Sequence, residues 1–214
     1  VISHLPVLVK LVAVSKTKPV EMLMEAYRHG QRAFGENKVQ EMTAKFEAMP
    51  KDIEWHFIGH LQTNKIKYMA SFVHLIHGVD SFKLLKAINT EARKASRVIS
   101  CLLQFHIAEE ETKFGLSWEE AEEMLQSHEF AELENVRICG VMGMATFTDD
   151  ETQIRKEFAS LKHHFDRLKT AYFSGNAAFK DISMGMSGDY LIAIEEGSTM
   201  VRIGSTIFGE RQYY

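Results

Sequence analysis

The stretch LVAVSKTKPVEMLMEAY, residues 11–27, carries the pattern that decides the fold. Its first four residues, 11–14, are all apolar and predict a buried strand, and a polar loop around Lys16 follows them. The apolar residues of the next segment share one face of a helix, because they recur at spacings of three and four. They are Val20, Leu23, Met24 and Tyr27. The stretch therefore predicts one strand–loop–helix unit.

The same alternation of strand and helix recurs along the chain. Eight short segments rich in Val, Ile, Leu and Phe are predicted strands, at residues 11–14, 32–34, 55–58, 75–79, 98–105, 136–142, 181–184 and 200–203. Strands that are apolar throughout, each followed by a helix, indicate a parallel sheet covered by helices. Eight such units in 214 residues predict an α/β fold, a single (β/α)8 barrel of the TIM type, with an open doubly wound sheet as the alternative.

Two later helices have start signals. Ser117 with Glu120, and Thr148 with Glu151, show the capping-box spacing, in which side chains satisfy the free amides of the first turn. The second helix is long, and its apolar stripe extends to a turn at residues 173–176. No linker or low-complexity tract interrupts the sequence, so one domain is predicted over residues 1–214.

Composition excludes several classes of protein. Lys and Arg number 25 against 29 for Asp and Glu, a net charge of −4, which gives no reason to expect a nucleic-acid or anionic-membrane partner. Cys101 and Cys139 lie in apolar runs without a CxxC pair and are predicted to be buried thiols in a reducing compartment. No segment approaches the roughly 20 apolar residues that span a bilayer. We therefore expect a cytoplasmic protein.

The functional residues of a barrel lie where its strands end, since active sites of this architecture occupy the carboxyl-terminal face. Polar residues and glycines follow five of the predicted strands, at residues 15–19, 35–37, 59–64, 185–188 and 204–206. Lys16 follows an apolar strand and shares one side of it with Val12 and Val14. It is either a lysine that extends to solvent or an amine that acts as a nucleophile toward a carbonyl.

The last two strands end in loops suited to an anion. Ser187 with Gly188, and Gly204 with Ser205 and Thr206, provide hydroxyl groups and small residues that let backbone amides approach a phosphate. Each string taken alone is more typical of a turn. Because both follow adjacent strands at the expected end of the barrel, they favour a phosphate site.

Arg202 interrupts the last apolar strand, so its charge needs a partner. It either forms an internal ion pair, with Glu36 or another acid at a strand end, or donates to a ring nitrogen or carboxylate of a ligand. The histidine pairs 56/60, 74/77 and 163/164 lack companions at metal-ligand spacing, and no metal is expected. Neither GxGxxG after a strand nor GxxxxGK[ST] occurs, which argues against dinucleotide and P-loop sites.

Five motifs resemble one family closely. They are AVSKTKP at 13–19, FGENKVQE at 34–41, WHFIGHLQTNK at 55–65, SMGMSGD at 183–189 and GSTMVRIGSTIFGER at 197–211. The sequence resembles the pyridoxal-phosphate homeostasis protein family from about residue 11 to residue 211. The resemblance implies a barrel like the N-terminal domain of alanine racemase, the type III fold of pyridoxal-phosphate proteins. His60 departs from the proline that many relatives have at this position.

The resemblance also assigns site residues for pyridoxal phosphate (PLP). It implies that Lys16 holds the cofactor as a Schiff base and that Arg202 faces the pyridine nitrogen. Ser187, Gly204, Ser205 and Thr206 match the positions that bind the phosphate in the family, and Asn37 and Met142 would line the cofactor. No residue is assigned to catalysis and none to a metal.

The expected function is a PLP carrier or regulator without committed catalysis. An arginine at the pyridine nitrogen disfavours its protonation, so the ring is a weaker electron sink. Racemases of this fold take one acid or base from a second domain, for which 214 residues leave no room. The alternatives are a small racemase-like enzyme with Lys16 as base, and a barrel enzyme for a phosphorylated metabolite. Expected partners are PLP and PLP-dependent apo-enzymes as its recipients, and a monomer is expected.

Overall fold

Eight parallel strands close into a barrel in which each strand pairs with the next and the last pairs with the first. The structure, a computed structural model, describes residues 5–110 and 114–209. The strands are β1 Lys10–Val14, β2 Ala33–Glu36, β3 Glu54–Phe57, β4 Leu75–Val79, β5 Ile99–Gln104, β6 Val136–Met142, β7 Asp181–Ser183 and β8 Met200–Ile203. The predicted (β/α)8 barrel is confirmed, and the open doubly wound sheet is wrong. Residues 210 and 211, the end of the last quoted motif, lie outside the described residues.

Helices follow the strands and cover the barrel from outside. They are α1 Val20–Arg28, α2 Val39–Ala48, α3 Phe82–Lys94, α4 Trp118–Gln126, α5 His128–Ala131, α6 Glu151–Ala171, α7 Tyr190–Glu195 and α8 Ser205–Phe208, with a 3-10 helix at Thr63–Tyr68 after β3. Within the described ranges, none of these helices combines the length and the apolar character needed to cross a membrane.

Local sequence signals place most element boundaries. All eight strands lie within two residues of their predicted bounds. The Ser117–Glu120 capping box is present, with both reciprocal hydrogen bonds formed. The Thr148–Glu151 box is wrong, because Asp150 caps α6 instead: its Oδ1 accepts hydrogen bonds from the amides of Thr152 and Gln153. Thr148 supports the cap from outside, where its Oγ1 accepts a hydrogen bond from the amide of Asp150.

The apolar residues form two main layers. A large outer cluster fills the space between strands and helices, and a smaller cluster that includes Val12, Leu102, Met142 and Met200 fills the barrel interior. Cys101 lies in the outer layer and Cys139 in the inner one, as free, buried thiols. Burial raises the pKa of both thiols, so neither is a reactive thiolate near neutral pH. The prediction of two buried thiols is confirmed.

Candidate functional site

A cavity of about 570 Å³ opens at the carboxyl-terminal end of the barrel. Its walls come from residues that follow β1, β2, β3, β6, β7 and β8, which the topology brings together at this end. Six residues proposed from the sequence line it: Lys16, Asn37, Ser187, Arg202, Gly204 and Ser205. Four of the five loops that the barrel rule selected therefore meet at this cavity, whereas the fifth, at residues 59–64, lines a different one.

Lys16 lies just beyond the end of β1. Val12 belongs to the barrel-interior cluster, and Val14 and Lys16, at successive alternate positions, line the cavity. Thr17 follows with a φ of +65°, and its amide donates a hydrogen bond of 2.6 Å to Oε1 of Glu41 on α2. This turn directs the chain away from the strand immediately after the lysine.

A buried ion pair holds the backbone next to Lys16. The Lys45 ammonium on α2 donates to the carbonyl of Ser15 at 2.8 Å and to Oε1 of Glu36 at 2.6 Å. The hydroxyl of Ser15 donates to the same Glu36 oxygen at 2.6 Å. Burial raises the pKa of the Glu36 carboxyl, while the charge of Lys45 opposes that rise. The arrangement joins β1, β2 and α2 directly beneath the cavity.

Arg202 reaches the cavity from β8 and is almost fully buried. Its Nη1 donates to Oγ of Ser183 at 2.6 Å, and its Nη2 donates to the carbonyl of Gly143 at 3.2 Å. Burial lowers the pKa of the guanidinium to about 10, so it keeps its charge at neutral pH. The predicted alternative of an ion pair with Glu36 is wrong, because Lys45 occupies that carboxylate.

The hydrogen bonds of Arg202 continue through the barrel interior. Oγ of Ser183 lies 2.8 Å from Nδ1 of His77, and Nε2 of His77 lies 2.8 Å from Nδ1 of His56. Burial lowers the pKa of His56 to about 4 and that of His77 well below its usual range, so both rings are neutral at pH 7. A chain of polar side chains thus runs from the cavity toward the opposite end of the barrel.

The two loops proposed as an anion site touch each other. Oγ of Ser187 accepts a hydrogen bond of 3.3 Å from the amide of Gly204. A Cβ at position 204 would lie 3.1 Å from both Cβ and the carbonyl oxygen of Val14, so glycine lets the end of β8 lie close to β1. The amides that open α8, beginning at Ser205, are of the kind that intrahelical carbonyls leave unsatisfied. Asp189 orders the neighbouring loop by accepting a hydrogen bond of 2.6 Å from the amide of Met186.

Two proposed residues lie elsewhere in the structure. Met142 is buried in the barrel-interior cluster, and Met144, two residues later, lines the cavity. Thr206 lines a separate cavity of about 500 Å³ on the outside of the barrel, between α1 and α8. His60, the departure from the family pattern, stacks on Phe114 with ring centroids 4.3 Å apart.

The sequence motifs do not indicate Glu157, which shapes the cavity from outside, and Lys18 shapes it from within its lining. Glu157 on α6 is buried and accepts hydrogen bonds from the amide of Thr146 at 2.7 Å and from its hydroxyl at 2.8 Å. Lys18 donates to the carbonyls of Phe208 and Gly209 at 2.9 and 3.0 Å, which joins the β1 loop to α8. Glu157 stands among the apolar positions of its helix, and that placement is the one sequence signal that could have identified it.

The alanine racemase N-terminal domain family matches residues 2–212. The chain belongs to this family. The "Pyridoxal phosphate homeostasis protein" of Aquifex aeolicus is 42% identical over 205 residues, which cover 95% of this chain and 88% of that protein. This family membership agrees with the resemblance carried by the five motifs.

Several solved structures share the barrel. PipY of Synechococcus elongatus PCC7942, solved without PLP, superposes with a TM-score of 0.90 at 33% identity, covering 97% of this chain and 95% of PipY. The same protein with PLP bound gives a TM-score of 0.86. An alanine racemase of Clostridium difficile 630 gives 0.77 at 14% identity, covering 98% of this chain and 57% of that one, a likeness of fold alone.

Proposed function

We propose that this protein binds PLP at the carboxyl-terminal end of its barrel, with Lys16 as the covalent anchor, and holds the cofactor for other proteins. The observation that carries the proposal is that Lys16, Arg202 and the Ser187–Gly204 contact lie on one cavity. The name of the Aquifex aeolicus relative and the PLP-bound structure of PipY support it.

The residues of the cavity fit the chemical parts of PLP. Arg202 is a buried cation that donates to two neutral acceptors within the described part of the chain, and the Asp189 carboxylate is near enough to favour its charge. Such a donor suits a ligand atom that accepts a hydrogen bond. The amide of Ser205 and the hydroxyl of Ser187 are donors that suit a phosphate, and the Gly204 amide positions that hydroxyl by donating to its oxygen. When bound, PLP supplies an aldehyde that the amine of Lys16 can attack reversibly with loss of water.

We propose that the protein holds PLP without committed turnover. Arg202 keeps its own proton at neutral pH and acts as a donor, so it would not protonate the ring nitrogen and would leave the ring a weaker electron sink. Racemisation, the alternative, needs an acid or base on each side of the substrate. Delivery to PLP-dependent apo-enzymes, the monomeric state, the cytoplasmic location and the single domain over residues 1–214 stay predictions.

The proposed anchor predicts a spectral change that one substitution removes. PLP added to the purified protein should produce a visible absorption band, and borohydride should abolish the band by reducing the carbon–nitrogen double bond. Lys16→Ala should lose the band completely. Lys18→Ala, which removes the other lysine that lines the cavity, should keep it. A protein that stays without a visible band at saturating PLP would contradict the proposal.

Amino acids separate the carrier from the racemase alternative. The PLP-loaded protein incubated with L-alanine should show a single spectral change and no continuing formation of D-alanine. Chiral chromatography over many molar equivalents of substrate measures this directly. Steady accumulation of D-alanine that Lys16→Ala abolishes would establish the racemase alternative.

A further inference from the structure

Two imidazoles and one carboxylate meet at the amino-terminal end of the barrel, opposite the cavity described above. Glu54 and His56 occupy alternate positions of β3, and His74 directly precedes β4, the neighbouring strand. One ligand atom from each of the three lies within 4.8 Å of the others. Oε2 of Glu54 is 3.8 Å from Nε2 of His56 and 3.8 Å from Nε2 of His74.

His56 directs an unsatisfied nitrogen into this cluster. Its side chain is fully buried, and its Nε2 has no hydrogen-bond partner among the described residues. A buried polar atom without a partner is uncommon in folded proteins, because its lost hydration is not replaced. The nitrogen therefore points to a ligand that the protein atoms do not supply.

The surroundings of His56 suit a metal ligand. Its other ring nitrogen, Nδ1, lies 2.8 Å from Nε2 of His77, which can accept a hydrogen bond from the Nδ1–H group. An imidazole that binds a metal regularly donates a hydrogen bond from its second ring nitrogen to such a partner. This hydrogen bond fixes the tautomer and the orientation of the ring. A proton on Nδ1, shared with His77, leaves the lone pair on Nε2, the nitrogen that faces the cluster.

We propose that Glu54, His56 and His74 form a binding site for a divalent ion of borderline softness, with Zn²⁺ as its representative. Neighbouring ligand atoms around tetrahedral Zn²⁺ lie about 3.3 Å apart, given bond lengths of about 2.0–2.1 Å. The two distances of 3.8 Å to Glu54 require a small approach of the side chains, and the two imidazoles, whose ligand atoms lie within 4.8 Å, approach through a rotation of the half-exposed His74. Glu54 and His74 are partly exposed, so solvent completes the coordination and gives the ion a path of entry.

One neighbouring cation competes with this ion. The Lys10 ammonium contacts Oε2 of Glu54, and its side chain is partly exposed at the end of β1. Nearby charges attenuate metal binding at a carboxylate, because two cations on one oxygen repel each other. The Lys10 side chain is long enough to turn into solvent when the metal binds. The competition makes a distinctive prediction: removing the charge of Lys10 should tighten binding of the ion.

Calorimetric titration of the whole chain with ZnCl₂, after treatment with EDTA and dialysis, tests the site. One equivalent should bind, and thermal unfolding should shift upward with Zn²⁺ but not with Mg²⁺, which prefers oxygen ligands. His74→Ala, at a half-exposed position, should weaken binding by more than about 100-fold. Removing a residue that only hydrogen-bonds to a ligand already lowers metal affinity by about 10–100-fold, and removing a ligand itself should cost more. His128→Ala, which removes an exposed histidine elsewhere, should leave the affinity unchanged.

Two further measurements sharpen the test. Lys10→Gln should bind Zn²⁺ more tightly than the unchanged protein, and Co²⁺ should give a visible spectrum of nitrogen and oxygen coordination that His74→Ala removes. No heat of binding, or an affinity that His74→Ala leaves unchanged, would overturn the site. Equal affinity in Lys10→Gln would show that the ion does not use Glu54 and would overturn it as well. None of these readouts depends on PLP.

Discussion

Gly140→Ala is expected to destabilise the barrel by about 4 kcal/mol or more, a loss at the extreme of single substitutions. Gly140 lies in β6 opposite Asp181 of β7 with a φ of +153°. A Cβ at this position would lie 1.7 Å from the carbonyl oxygen of Asp181, a backbone atom that cannot turn aside. The β5–β6 register also shifts here, since Cys101 pairs with Ile138 and Leu102 with Gly140. Cys139, between Ile138 and Gly140, is the extra residue of this β-bulge, and the bulge requires the glycine.

Thermal and urea unfolding measure this effect. In a chain of this size each kcal/mol shifts the midpoint by about 2–4 °C, so a fall of about 10 °C or more is expected, or insoluble protein. Gly175→Ala is the matched control, because a Cβ there would meet no atom within 4 Å. It should leave the midpoint nearly unchanged. A Gly140→Ala protein as stable as the control would contradict the close approach of β6 and β7.

Lys45→Met is expected to lower the free energy of unfolding by about 3–5 kcal/mol, the range for breaking a buried ion pair. The ammonium is buried and donates to the Ser15 carbonyl, to Glu36 and to Glu41. Without it the Glu36 carboxylate, which is fully buried, loses its cation. The backbone beside Lys16 also loses a tether, so we expect weaker PLP binding in the variant.

A double variant separates the lost charge from lost packing. Glu36→Gln combined with Lys45→Met should recover part of the loss, because no unpaired charge remains buried. The exposed Lys162–Asp166 pair on α6 is the matched control, and Lys162→Met should cost no more than about 1 kcal/mol. Urea unfolding of the unchanged protein, Lys45→Met, the double variant and Lys162→Met measures these differences. Equal losses in Lys45→Met and Lys162→Met would contradict the structural role of the buried pair.

The sequence predicts the barrel well because its strands have local signatures. Most residues of the strands are apolar on both faces, one facing the interior and one facing the helices, and this pattern does not depend on distant residues. His56, His77, Ser183 and Arg202 are buried polar exceptions. The start of α6 differs from the predicted one for a local reason as well. Thr148 and Asp150 both offer a capping oxygen, and spacing alone does not show that the carboxylate of Asp150 accepts the helix amides.

The partners of the site residues could not be predicted, since they depend on contacts between distant segments. Arg202 donates a hydrogen bond to Ser183 because β7 and β8 are neighbours. Glu36 instead forms its ion pair with Lys45 of the following helix, α2. As pairs along the sequence, the histidines show no metal-ligand spacing. Register places His56 opposite Leu75, and this brings Glu54, His56 and His74 together.

Peptide mapping of the borohydride-reduced, PLP-loaded protein tests the central claim most directly. Mass spectrometry should find one pyridoxyl group per chain, on the peptide that contains Lys16, with fragment ions that place it on that residue. Lys18, which lines the same cavity, and Lys45, buried beneath it, should be unmodified. A pyridoxyl group spread over surface lysines, or found mainly on any lysine other than Lys16, would contradict the account.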